Sequence, residues 1–384
     1  MRSLFPFYLV IFLWGASAGL LTPVFPLYIR SLGFSIQDWG TLVMVYAVST
    51  FLFEWAWGVL SDRFDRRLFV ALGLLSGSVL VPLYAVKALI PFFYVLQFLR
   101  GVFFIMIGPA VKALVSDMSA SGRLGLSMGL YSATRTLGGV LGPFLGSYVA
   151  EFWSYEYAFY FYSALSLVGA AITVKIKTGM RAQIPVEKGS LGSVQGWRSL
   201  FTQGQAVLLF VLPVIIFMGH TAINSYLPVY ALERVGMSTL EVGTVFSIMN
   251  LLGFLTTPLF GWASDRLGRR PVVLLGFSSS AVMLFSLFFV RTRLHVTLAS
   301  IGFAVCFSPI TPLLLTMLAE SSPRWLLGTA MGIYSTFENL GTVIAPPIYS
   351  AAWSAYAPET LFLFGALVQA MGMLLLLSNR RRRR

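Results

Sequence analysis

Twelve apolar runs, each long enough to cross a bilayer as a helix, leave this chain few ways to fold. About 20 apolar residues span the hydrocarbon core when coiled into an α-helix. None of the runs alternates apolar with polar residues, as the strands of a membrane barrel do. In lipid every backbone N–H and C=O needs a partner within the structure, so helices are the remaining solution. Composition agrees. The chain is 57% hydrophobic and 11% charged, with a mean hydropathy of +0.82, whereas soluble domains carry about 25% charged residues. The expected fold class is therefore an all-α integral membrane protein of twelve transmembrane helices. Helix 1 ends near Tyr28. Helices 2 to 12 fall near 39–60, 68–86, 92–116, 124–150, 157–176, 205–232, 239–262, 271–290, 296–319, 326–350 and 360–378.

The start, Met1-Arg2-Ser3 before an apolar run, looks like a signal peptide, and Ala16-Ser17-Ala18 offers a cleavage-like site. The run continues to Tyr28, too long for a signal's apolar core, so it is read as a retained helix. Several function classes drop out. The single Cys306 excludes an internal disulfide or cysteine cage. His220 and His295 alone do not make a histidine metal cluster, and no Gly-Lys dipeptide marks a phosphate-binding loop. No nucleophile–base pair suggests an enzyme, and neither metal nor cofactor is expected.

The ten residues Gly58-Val-Leu-Ser-Asp62-Arg63-Phe-Asp65-Arg66-Arg67 recur 203 positions later as Gly261-Trp-Ala-Ser-Asp265-Arg266-Leu-Gly268-Arg269-Arg270. The same register matches Gly33 with Gly236, Pro109 with Pro312, Asp117 with Glu320 and Pro143 with Pro346. A membrane chain that repeats itself halfway was built by duplication. Two six-helix bundles with pseudo-two-fold symmetry follow: residues 1–176, a polar basic linker at 177–203, and residues 204–384.

The net charge of +13 is read by position rather than as a sign of nucleic acid. Most Lys and Arg residues fall on the hairpin side, including the five arginines from Arg380 to Arg384. Basic loops stay in the cytoplasm, so both hairpins and both termini are placed there, in a multi-pass protein of the cell membrane. The arginine tail would attract anionic lipid or simply anchor topology.

Twelve spans, a central basic linker and a G-x-x-x-D-R-x-G-R-R hairpin in each half resemble the major facilitator superfamily of secondary transporters, over essentially the whole chain. Asp65 replaces the usual glycine in the first copy, and the trailing basic residue is missing from both (Phe69, Val272). The resemblance implies a conformational latch at Gly58, Asp62, Arg63, Arg66 and Arg67, and again at Gly261, Asp265, Arg266, Arg269 and Arg270. It implies that Asp117 and Glu320 meet the hairpin arginines, with Arg123 and Arg324 extending the networks. An Asp at such a helix end would accept from free N–H groups at the start of a neighbouring helix.

Helix 5 carries Gly138-x-x-x-Gly142-Pro143-x-x-Gly146. Glycines four apart clear one face for close packing, and proline removes a backbone bond and bends the helix. The run resembles the antiporter signature of proton-coupled drug exporters in the same superfamily, with Ser147 where many relatives have a second glycine.

Ionisable groups at membrane depth are costly and therefore functional candidates. They are Glu54, Arg100, Arg135 and Glu338. Arg100 resembles the family's helix 4 arginine, proposed to assist proton transfer. Arg135 and Glu338 hold equivalent repeat positions. A carboxylate in a poorly hydrated site has its pKa raised and can exchange a proton, which makes Glu54 and Glu338 the candidate proton carriers. In this fold helix 2 would bring Glu54 toward Glu338, and helix 5 would bring Arg135 toward Asn250. The family's cavity helices 1, 4, 7 and 10 contribute Trp14, Tyr28, Gln97, Arg100, His220, Asn224, Tyr226 and Thr311.

The expected function is a monomeric secondary transporter working by alternating access on a small-molecule substrate. Proton-coupled export of small amphipathic or apolar compounds ranks first. A sugar, organic-anion or nutrient porter is the alternative, and a transporter-like sensor is a remote third.

Overall fold

The structure, a computed structural model, describes residues 5–119, 124–176, 204–289, 291–322 and 327–378. The linker expected at 177–203, Arg123, Arg324 and the arginine tail lie outside the described residues.

All twelve spans are helices: α1 (Phe5–Ser31), α2 (Ile36–Arg63), α3 (Arg66–Leu80), α4 (Ile90–Phe104, then Ile107–Met118), α5 (Leu124–Phe152) and α6 (Tyr155–Lys175). After the linker come α7 (Gly204–Thr221, a π turn Ala222–Tyr226, then Leu227–Glu233), α8 (Thr239–Leu267), α9 (Arg269–Phe289), α10 (Arg293–Phe307, then Ile310–Ser321), α11 (Leu327–Ala355) and α12 (Thr360–Ser378). Among the described residues, ten spans are long and apolar enough to cross a membrane by composition. The other two, α5 and α11, have 29 residues each and substitute Gly, Ser, Thr and Pro for aliphatic side chains.

The duplication is written into the helix ends. α4 breaks after Phe104 and restarts at Ile107; α10 breaks after Phe307 and restarts at Ile310, in the same register. The sequence expectation had each as one helix. Pro109 and Pro312 account for the restarts, because proline lacks an N–H and clashes with the carbonyl four residues back, yet fits a first turn. Gly33 (φ 84°) and Gly236 (φ 69°) both supply the left-handed residue after α1 and α7. Each is followed by a capping box. Ser35 pairs with Asp38 and Ser238 with Glu241, each through two backbone N–H groups.

The chain separates into two compact units. Unit 1 gathers α1 to α6 with Pro228–Leu251; unit 2 gathers α7 up to Leu227 and everything described from Leu252 onward. The core of unit 1 is built by Phe7 and Val10 of α1, Val70 of α3, Ile107, Val111 and Val115 of α4, and Tyr131 of α5. Unit 2 uses equivalent positions: Phe210, Val273, Ile310, Leu314, Leu318 and Tyr334. Ala16 and Ser17, midway along α1, are buried within unit 1.

Candidate functional site

The hairpins solve one turn in two ways. In the first, only Phe64 and Asp65 separate α2 from α3, and Asp65 caps α3 by accepting from the Arg67 N–H. In the second, Gly268 takes the left-handed conformation (φ 88°) between α8 and α9. The Asp65 departure is thus a side-chain cap standing in for a backbone turn. Arg67 grips both Asp65 oxygens and donates to the Ile176 carbonyl at 2.6 Å, tying α3 to the end of α6. Arg270 does the same for α9 and α12 through the Leu376 carbonyl.

The acidic partners also repeat. Arg66 pairs with Asp117 at 2.5 Å in unit 1, and Arg269 pairs with Glu320 at 2.8 Å in unit 2, where it also meets Asp265 at 3.4 Å. Arg266 lies over the Trp262 ring at 4.0 Å, and Arg63 is exposed. The Asp62 side chain is outside the described set. A Cβ at Gly58 or Gly261 would meet no atom within 4 Å.

The antiporter-like glycines are packed on both sides. A Cβ on Gly138 would overlap the Phe12 carbonyl, one on Gly142 the Ala16 carbonyl, and one on Gly146 the Leu20 side chain. Reciprocally, Gly15 lies against the Arg135 backbone and Gly19 against Gly139 and Pro143. Backbones of α1 and α5 therefore run in direct contact for two turns, the arrangement that small residues four apart permit. Ser147, which replaces a glycine, is fully buried; a Cβ on Gly243 of α8 would collide with it. The missing glycine reappears on the facing helix.

The buried charges sit among aromatic rings. Arg100 donates to Gln97 Oε1 at 3.0 Å and lies 5.0 Å from the Tyr46 ring centroid and 5.8 Å from that of Phe25. Its Nε is buried without a hydrogen-bond partner, as is Trp14 Nε1. Tyr84 donates to the same Gln97 oxygen at 2.9 Å. Arg135 stacks 4.7 Å over Trp14, whose other neighbour is Phe104. Asn250, expected to approach Arg135, donates to the carbonyl of Gly139, one turn along α5 from Arg135, at 2.8 Å. The reason is local. Pro143 has no N–H, which leaves the carbonyl four residues back without its helical donor. Glu54 lies on α2 in unit 1, and Glu338 on α11 in unit 2, one turn beyond the buried Tyr334.

The expected cavity residues divide. Tyr28 and Tyr226 are buried in helix packing and donate to the carbonyls of Tyr84 and Pro346. His220 stacks on Phe307 at 5.4 Å, beside Phe217. Asn224 donates to the His220 carbonyl across the π turn, and Thr311 follows the α10 break. π turns inside α-helices are frequent at functional sites.

The ion pairs Arg30–Glu233, Lys87–Glu156 and Arg291–Glu359 escaped the sequence reading. Arg30 and Glu233 meet at 2.6 Å at the end of unit 1 remote from its hairpin. Arg30 and Glu233 are 203 positions apart, the repeat register itself, but that register stands out in the sequence only where like residues recur. Glu151 and Ser247 were missed for a different reason: each bonds backbone, which leaves no motif.

The profile of the Major Facilitator Superfamily matches residues 7–305 and 235–384. The chain belongs to the major facilitator superfamily. Among its curated relatives, the Multidrug resistance protein MdtG of Rahnella sp. (strain Y9602) is 25% identical over 380 residues, covering 96% of this chain and 90% of the relative. The Quinolone resistance protein NorA of Staphylococcus aureus (strain COL) is 24% identical over 370 residues, covering 94% and 92%. Of solved structures, the nucleoside transporter NupG superposes with a TM-score of 0.80 at 13% identity, covering 98% of this chain and 99% of NupG. A bacterial homolog of the human lysosomal transporter Spinster, inward-facing and occupied, gives 0.82 at 13% identity, covering 99% and 97%. Two repeats of six transmembrane helices in this superfamily make the chain a multi-pass membrane transporter of small molecules, not an enzyme.

Proposed function

We propose that this transporter exports small amphipathic or apolar compounds in exchange for protons, by alternating access. The observation that carries the reading is the Gly138–Gly142–Pro143–Gly146 face packed backbone to backbone on α1, in a chain whose relatives include proteins named for multidrug and quinolone resistance. Supporting it, the described interior is rich in rings: Trp14 with Phe104 in unit 1, and His220 with Phe307 in unit 2. Such surfaces suit apolar and cationic aromatic molecules. In this reading Glu338 or Glu54 carries the proton, Arg100 assists, and the hairpin pairs Arg66–Asp117 and Arg269–Glu320 belong to latches on the cytoplasmic face. Both termini lie in the cytoplasm, the protein sits in the cell membrane as a monomer, and the arginine tail meets anionic lipid. The divisions at 1–176, 177–203 and 204–384 are the moving halves and their linker.

Arg100 favours a second reading, an organic-anion or nutrient porter, because its buried Nε is an unused donor for an anion. A thermal-shift screen of the purified protein against lipophilic cations, sugars and carboxylates at two pH values separates the two, since a binder stabilises what it binds. Export predicts pH-dependent stabilisation by lipophilic cations. Stabilisation by carboxylates or sugars alone would reverse the order.

A further inference from the structure

Along the side of unit 1 remote from the hairpin, the first half of α8 is fastened to α5 and the first residue of α6 by a ladder of contacts. The Leu240 N–H points to Glu151, the Thr239 and Tyr155 hydroxyls meet at 3.3 Å, and Gly243 receives Ser147. The last two rungs differ in kind. The Phe144 N–H donates to Ser247 Oγ at 3.0 Å, and Asn250 Nδ2 donates to the Gly139 carbonyl at 2.8 Å. Ser247 and Asn250 are three residues apart and share a face of α8. Gly139 and Phe144 flank Pro143 on α5. The two side chains therefore reach the backbone on either side of the gap that the proline makes. α8 leaves unit 1 at Leu251, one residue past the last rung.

We propose that Ser247 and Asn250 are positioning residues for transport, a clasp that recognises the broken turn at Pro143. Within the alternating-access reading on which this inference rests, the clasp closes the end remote from the hairpins, and opening that end requires its release. Separation leaves the Gly139 carbonyl without a donor in a low-dielectric setting, where an unsatisfied polar group is costly. Water or substrate must then replace Asn250. The proline is part of the device: it frees the acceptor that Asn250, on another helix, satisfies in the closed state.

The test uses purified full-length protein with Cys306→Ser and a reporter cysteine at Ser147, which is fully buried against α8. A membrane-impermeant maleimide labels it only when α8 parts from α5. Asn250→Leu removes the donor and is expected to speed labelling between about threefold and about eighteenfold, the range of hydrogen bonds between membrane helices. In a Pro143→Ala background the substituted residue regains a backbone N–H that can satisfy Gly139 within α5, so Asn250→Leu changes labelling there by less than about twofold. Ser247→Ala, a milder variant, moves labelling in the same direction if Asn250→Leu fails to fold. Equal effects of Asn250→Leu in both backgrounds, or none in either, would overturn the proposal. Flux in matched proteoliposomes distinguishes the two readings. Transport intact with no coupling between positions 143 and 250 removes the clasp alone. Coupling present without export removes the export reading alone.

Discussion

Gly142 and Gly129 lie on the same helix, yet a methyl group would meet opposite receptions at the two. At Gly142 it would overlap the Ala16 carbonyl of α1; at Gly129 it would meet nothing within 4 Å. Backbone cannot give way as a flexible side chain does, so Gly142→Ala is expected to lower the thermal midpoint by several degrees, while Gly129→Ala leaves it unchanged or slightly higher, because alanine favours helix by up to about 1 kcal/mol. Thermal unfolding in detergent reads both; equal shifts would refute the packing account. The four-residue spacing on α5 was legible in the sequence. The matching Gly15 and Gly19 on α1 have that spacing too, but spacing does not say which helix a glycine faces. Asn250 was the harder case. The helix neighbourhood implied by the family resemblance brought it toward Arg135, and the bond it makes goes to the carbonyl that Pro143 orphans.

At the scale of elements, the α2–α3 turn carries a pH-dependent prediction. The hydrogen bonds from Arg67 hold the Asp65 carboxyl below its ordinary value of 3.8. A depressed carboxylate contributes stability that is complete above the unfolded value and is lost as pH falls through the folded one. Asp65 is 39% exposed, so solvent screening limits the gain to under about 1 kcal/mol. Asparagine keeps the cap but not the charge. Asp65→Asn should therefore be slightly less stable than the parent at pH 7 and converge with it as pH falls through the lowered folded-state value of the carboxyl. A difference independent of pH would remove the charge from the account. The sequence placed the twelve spans, because length and hydropathy are strong signals, and it showed that Pro109 matches Pro312. It did not place the breaks in α4 and α10: a proline bends a continuous helix in one setting and restarts it in another. The π turn in α7 left no signal, for its Asn224–His220 bond joins two residues of ordinary helical spacing.

Duplication organises the whole molecule, and it explains both its symmetry and its departures from it. Caps, breaks, core positions and arginine–acid pairs recur at one register in the two repeats. Several positions at membrane depth do not: Glu338 stands where the first repeat has Arg135, and His220 where it has Ser17. Scaffold positions were kept and membrane-depth positions diverged, as expected if the interior of each half took on separate work. Proton exchange by those carboxylates is the central claim. It is tested most directly by flux of a fluorescent lipophilic cation in proteoliposomes under an imposed pH gradient, comparing the parent with Glu54→Gln and Glu338→Gln at matched reconstitution. The account predicts gradient-driven flux in the parent and loss of gradient dependence in at least one variant. Full gradient-driven flux in both variants, or parent flux indifferent to the gradient, would contradict it.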